Sequence, residues 1–257
     1  MIHFKHSGTV SDLFYSLPSI KTACDLNDTQ AILHLQVGMD NKEKFTEGYS
    51  HRPFMLIKED VDSLKNLLKN QYYIDDVKIF DGDTTKINVD LDIFREQPIN
   101  YKSGSIVRYF STMMGLSVPF ERPCINLKSN ERYNRKVVLS RSLSYQNENV
   151  DWSVINDFPD VKFVFIGDDL EYQRISEKVN NLIHIKPKDY MDAAQIIKGC
   201  SLFIGNQNEY YSIAESLKVR RMLEVCPTSA NVIPMGGENY DVHYTKIFKF
   251  LLTTLTK

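Results

Sequence analysis

Cysteine is scarce in this chain. The four in 257 residues, Cys24, Cys124, Cys200 and Cys226, are scattered and never in CxxC spacing. That excludes a disulfide framework or a zinc-finger pattern, and three of them sit beside apolar runs, so they read as buried thiols in a reducing compartment. Long apolar runs are missing too: no window approaches the ~18 continuous apolar residues of a membrane span. "MIHFKHSGTV" lacks the apolar h-region of a signal peptide, which makes the cytoplasm the expected location. Charge of one sign is not in excess, with 31 Lys and Arg against 33 Asp and Glu. A broad nucleic-acid-binding face is therefore not favoured. No GxGxxG, GxxxxGK[ST] or GxSxG motif occurs. The six histidines (3, 6, 34, 51, 184 and 243) show no ligand spacing, so no metal site is expected.

What is present is an alternation of short apolar runs with segments of helical period, the pattern of an α/β protein with parallel sheets. In the first half, Ile2–Lys5, Ala31–Val37, Asp76–Phe80 and Ile87–Asp90 read as strands. Val10–Cys24, Glu59–Asn70 and Ser103–Gly115 read as helices. Residues 119–135, with two prolines, several charges and no sustained period, read as a linker. Beyond it, "KVVLSRS", "VKFVFIG", "NLIHI", "SLFIG" and "RMLEV" are strands separated by helical segments, and "YDVHYTKIFKFLLTTL" reads as a terminal helix. The expected fold is two Rossmann-like domains facing each other across a cleft. They span residues 1–122 and 136–257, joined by 123–135.

Ligands of such sheets bind at the carboxyl ends of the strands, so the strand-ending turns are the candidate sites. In "KHSGTVSDLF", Gly8 lets backbone N–H groups approach a ligand, Thr9 borders it, and Asp12 can serve as a general base. The plainer alternative is that Ser11 or Asp12 only caps the helix. In "LSRSLSYQN", Ser140, Arg141 and Ser142 suit a phosphate, against the alternative of a solvated loop. "FIGDDLEY" ends a central strand, with Asp168 or Asp169 as cap, against the alternative of binding a ribose. "FIGNQNEYYSIAESL" places Gly205, Asn206, Gln207 and Asn208 at a strand end, followed by Glu209 and Glu215. A turn needs only one or two polar residues there, and this one has four in a row.

Together, "SGTVSDLFYSLPSI", "VKFVFIGDDLEYQRI" and "MDAAQIIKGCSLFIGNQNEYYSIAESLKVRRMLEV" resemble the ADP-heptose:lipopolysaccharide heptosyltransferase family of GT-B glycosyltransferases. The resemblance covers most of the chain in order. Asp12 falls on the family's base, with Ser11 in place of the usual Gly. Gln207, Asn208, Glu209 and Ser212 stand where the family has Asp, Ser, Gly and His. The chain is also short for a GT-B enzyme.

The resemblance implies a sugar transfer from a nucleotide-sugar to an acceptor hydroxyl, metal-independent and without a cofactor beyond the co-substrate. Asp12 would be the base. Gly8, Thr9, Ser140, Arg141, Ser142 and Gly205 to Asn208 would bind the donor and its phosphates. Glu209 and Glu215 would meet sugar or ribose hydroxyls. The final helix would pack back across a cleft that closes on the donor. The acceptor class implied is a glycan or lipid-linked saccharide. Asp81-Gly82-Asp83 and Asp90-Leu91-Asp92 match a metal-binding DxD element only formally. The departures at 207–212 motivate a non-catalytic nucleotide-sugar or carbohydrate-binding protein as the alternative. A glycosyltransferase acting on a modified nucleic-acid base is a third.

Overall fold

The computed structural model describes residues 1–40 and 55–256; His51 lies outside them. The first half runs β1 (Ile2–His6), α1 (Val10–Leu26), β2 (Ala31–Leu35), α2 (Lys58–Lys69), β3 (Ile74–Ile79), β4 (Val89–Asp90) and α3 (Ile106–Met113). Its strands form a parallel sheet in the order β3-β2-β1-β4. Alternation in β1 turns Phe4 and His6 inward. Helix α1 starts where Thr9 and Asp12 cap each other's backbone. Pro18 lies inside α1, where its ring nitrogen cannot donate to the Phe14 carbonyl. That carbonyl instead meets Ser216 Oγ, 3.5 Å away on a helix of the second half.

The second half runs β5 (Val137–Ser140), β6 (Phe163–Ile166), α4 (Asp169–Ser176), β7 (Ile183–Ile185), α5 (Tyr190–Gly199), β8 (Leu202–Gly205), α6 (Glu209–Leu217), β9 (Arg221–Glu224), β10 (Asn239–Val242) and α7 (Thr245–Leu255). All six strands are parallel, in the order β10-β9-β8-β5-β6-β7. The fully buried runs FVFI and LFIG are strands covered on both faces. The fold is α/β, two parallel sheets with flanking helices.

Two expectations are corrected. "YDVH" is not helical: Asn239–Val242 adds an edge strand beside β9, with Val242 buried in the core, and α7 begins only at Thr245. Nor does the last helix cross the cleft. Its Phe248 ring lies 5.4 Å from Trp152, and Leu251 and Leu252 join the same second-half core.

The halves meet through helices, α1 on α6 and α2 on α5. One buried cluster runs from Phe4, Leu13, Phe14 and Leu64 into Ala194, Ile197, Tyr211 and Ile213. The Phe14 and Tyr190 rings meet edge to face at 6.3 Å. A shared apolar core of this kind opposes the free hinge motion of separately folded domains. Among the described residues, no helix is long and apolar enough to cross a membrane.

Candidate functional site

A cleft of ≈ 340 Å³ opens beyond the carboxyl ends of β1, β5, β6 and β8, where a parallel α/β sheet places its ligands. Three helix starts form its walls: Thr9 to Asp12 before and within α1, Asp168, Leu170 and Glu171 at α4, and Asn208 to Tyr210 at α6. Helix starts present unbonded N–H groups and partial positive charge. The loop Ser142–Tyr145 and Arg95, Tyr101, Gln207, Ser229 and Asn231 also line the cleft.

On the first-half side, Asp12 is held through one oxygen. Its Oδ2 accepts from Thr9 N–H at 3.0 Å and the Thr9 hydroxyl at 2.9 Å, and lies 2.8 Å from Arg95 Nη2. Oδ1 takes part in none of these contacts, and the Asp12 side chain is 18% exposed on the cleft wall. Behind it, Arg95 Nε donates to Asp92 Oδ1 at 3.2 Å, and the guanidinium lies over the Phe94 and Tyr101 rings.

Asp92 also accepts from Ser7 N–H at 2.6 Å and lies 3.3 Å from His6 Nδ1. His6 Nε2 lies 3.0 Å from the Thr9 carbonyl, which can only accept. The Thr9 carbonyl makes Nε2 the protonated nitrogen, while Nδ1 is close to the Asp92 carboxylate without a well-formed hydrogen bond to it. Burial pushes the His6 ring down, but the Asp92 carboxylate outweighs it and raises the ring above its ordinary value. Burial also works against the Asp92 charge, yet His6 and Arg95 hold its carboxyl well below the usual carboxylate range. Gly8 lies in the middle of this quartet. A Cβ there would fall 2.9 Å from both Asp12 Oδ2 and His6 Cε1, and 3.1 Å from Asp92 Oδ1. The close approach is what requires glycine, since its φ is not positive.

On the second-half side, the polar run after β8 is mostly an internal clamp. Asn206, fully buried, donates to the carbonyls of Ser142 and Ser144 at 3.1 and 2.6 Å, and accepts from Ser142 N–H at 3.0 Å. Asn208 caps α6 through the Tyr211 N–H at 2.9 Å and donates to Ser140 Oγ at 2.8 Å. Gly205 packs on the Ser140 carbonyl. Gln207 lines the cleft, and its Nε2 donates to Asn231 Oδ1 at 2.9 Å.

Asp12, Thr9, Ser142, Gln207, Asn208 and Glu209 thus converge on one cleft. Gly8, Ser140, Gly205 and Asn206 lie behind its walls.

Two expected site residues lie off the cleft. Arg141 does not line it: Nε and Nη2 each donate to Glu224 at 2.8 Å, and its guanidinium lies 5.4 Å from the Trp152 ring centre. Glu224 also accepts from Asn147 N–H at 2.8 Å and Trp152 Nε1 at 3.1 Å, so this pair holds the loop after β5 from below. Glu215 is buried against Lys218 and Arg221 and lies outside the cleft.

Sequence reasoning missed Arg95, Tyr101, Asn231 and the His6–Asp92 pair. Asp92 was visible only as half of an acidic doublet and His6 only as one of six unclustered histidines, while Arg95, Tyr101 and Asn231 lie in stretches without period or motif. Among the described residues, no group of three or more His, Cys, Asp or Glu is placed to hold a metal ion.

No protein-family model matches the sequence, and no curated protein does. Solved structures do match along the whole chain. The E. coli ADP-heptose lps heptosyltransferase II superposes with a TM-score of 0.64 at 9% identity, covering 99% of this chain and 98% of that one. This is the GT-B fold. The glycosyl transferase family 9 protein from Veillonella parvula gives a TM-score of 0.62 at 11% identity, covering 100% and 91%. E. coli heptosyltransferase WaaC with ADP gives 0.61 at 8% identity, covering 100% and 99%. The likeness to heptosyltransferases thus extends over both sheets.

Proposed function

We propose that this protein is a glycosyltransferase that moves a sugar from a nucleotide-sugar donor to an acceptor hydroxyl, with Asp12 as general base. The observation that carries this reading is the asymmetry of the Asp12 carboxylate. Oδ2 is anchored by Thr9 and Arg95, while Oδ1 is left to the cleft. A base needs a fixed orientation and one oxygen within reach of the proton it removes.

In the proposed step the acceptor oxygen bonds to the anomeric carbon as the bond from that carbon to the diphosphate oxygen breaks. The acceptor proton passes to Asp12 Oδ1, and the nucleoside diphosphate leaves with the bonding electrons. Residues at the starts of α1, α4 and α6 line the cleft, where the remaining first-turn N–H groups would stabilise that developing charge as preorganised dipoles. Among the described residues, Arg95 is the cationic side chain on the cleft wall. The donor would occupy the side of Gln207 to Glu209, the acceptor the side of Asp12. A glycan or lipid-linked saccharide is the acceptor class this reading names.

The test is a panel of ADP-, UDP-, GDP- and CMP-sugars, first by thermal shift and then by nucleotide release with saccharide acceptors, with and without chelator. A donor-specific rise in melting temperature follows if the native state binds it. Release that survives chelation supports the metal-independent form. The commitment of Arg141 to Glu224 favours a second reading, a nucleotide-sugar or carbohydrate-binding protein without turnover. Saturable binding across the panel with no release on any acceptor would favour that one.

A further inference from the structure

Residues 225–238 join β9 to β10, parallel neighbours, without a helix. Such crossovers are usually helical and pack back on their own sheet. This one leaves the sheet, touches the first half and returns. Its return turn is Gly236-Gly237, with φ of +67° and +63°, and a Cβ on Gly236 would come within 2.3 Å of the Glu121 carbonyl oxygen. Arg221, fully buried, holds this turn by donating to the Met235 and Gly236 carbonyls at 2.9 Å. Asn231 is where the strap reaches across.

Asn231 uses its carbonyl and both ends of its side-chain amide outside its own segment. The carbonyl accepts from Ile106 N–H at 2.8 Å, at the start of α3. Nδ2 donates to the Tyr101 carbonyl at 2.8 Å, and Oδ1 accepts from Gln207 Nε2 at 2.9 Å. A backbone carbonyl can only accept, so Tyr101 fixes which end of the Asn231 amide is nitrogen. That makes Oδ1 the acceptor and sets the orientation of the Gln207 amide in turn. The Tyr101 ring lies 5.2 Å from the guanidinium of Arg95, which is paired with Asp12. A continuous chain of contacts, Asp12–Arg95–Tyr101–Asn231–Gln207, therefore spans the two halves.

We propose that Asn231 is a positioning residue, registering the turn after β8 against the first half so that Gln207 is held in a fixed relation to Asp12. Its consequence for catalysis rests on the glycosyl-transfer reading, whereas the bridge itself does not. In that reading, donor and base are aligned by a strap and a shared core in place of a hinge, and misalignment lowers the rate of the step.

Hydrogen-exchange mass spectrometry of the full chain, without ligand, tests the bridge. Asn231→Ala should speed exchange about tenfold, one net hydrogen bond's worth, in peptides covering 101–108 and 205–212 together, with β5 and β6 unchanged. Asn231→Asp keeps an acceptor for Gln207 but loses the donor to Tyr101, so it should speed 101–108 and leave 205–212 as in the parent. A change confined to 226–236 in Asn231→Ala, or equal effects of Asn231→Asp on both peptides, overturns the proposal. If Asn231→Ala fails to fold, Asn231→Asp alone decides by the same contrast. On a donor that turns over, Asn231→Ala should lower kcat about tenfold with KM little changed. A donor panel without any turnover removes the transfer reading, while the exchange contrast still decides the bridge.

Discussion

Arg95 Nη2 lies 2.8 Å from the same Asp12 oxygen that takes both Thr9 donors. A capping box by itself would make Asp12 a helix-start residue. The guanidinium, stacked over Tyr101 and tied to Asp92, turns it into a carboxylate with one anchored and one open oxygen.

Arg95→Gln should therefore reduce turnover by about 10²-fold, the scale of a small misplacement of a catalytic group. Arg95→Lys should restore little, because a point charge cannot span both Asp12 and Asp92 as the planar fork does. Steady-state kinetics beside circular dichroism checks this. Full activity in Arg95→Gln would remove the anchoring role.

Removing Arg141 should affect stability and leave nucleotide affinity alone. Arg141→Gln leaves Glu224, 1% exposed, with an uncompensated charge, and breaking such a buried pair costs about 3–5 kcal/mol. Urea unfolding measures the loss, and calorimetric titration with the nucleotide-sugar that binds the parent measures affinity. Weakened binding at parental stability would return Arg141 to the phosphate role.

The His6–Asp92 pair carries a pH signature. The folded-state value of His6 is raised, so its stabilising contribution is complete below the unfolded value of about 6.5. It is lost as pH rises through the raised folded value. The stability margin of the parent over His6→Gln should be largest near pH 6 and shrink at higher pH. A margin that grows with pH would mean that the buried ring is neutral.

Thiol chemistry gives an independent check on the packing. Burial pushes the Cys124 thiol up to about 11. Native protein at neutral pH should alkylate slowly there with iodoacetamide, and rapidly in urea. Fast native labelling of Cys124, beneath the junction of the halves, would contradict the shared core.

The sheets were legible because buried parallel strands such as FVFI and LFIG are short unbroken apolar runs ended by polar turns. β10 was not, since "NYDV" at an edge lacks such a run and passes directly into a helical pattern. In the site, Asp12 and the 205–209 turn announced themselves by position after strands. Arg141 misled for the same reason: a strand end predicts where a side chain starts, and only tertiary packing reveals that it turns to Glu224. Arg95 and Asn231 could not be seen in advance, because their partners Asp12 and Tyr101 lie far away in the chain and meet them only in the folded protein.

Everything proposed for the reaction turns on Asp12 Oδ1 taking the acceptor proton. The most direct measurement is single-turnover sugar transfer by Asp12→Asn, on a donor and acceptor that the parent uses, with donor affinity measured alongside. The transfer rate should fall by about 10²–10⁴-fold, with donor affinity and fold retained. Transfer at the parental rate would contradict the assignment of Asp12 as the base.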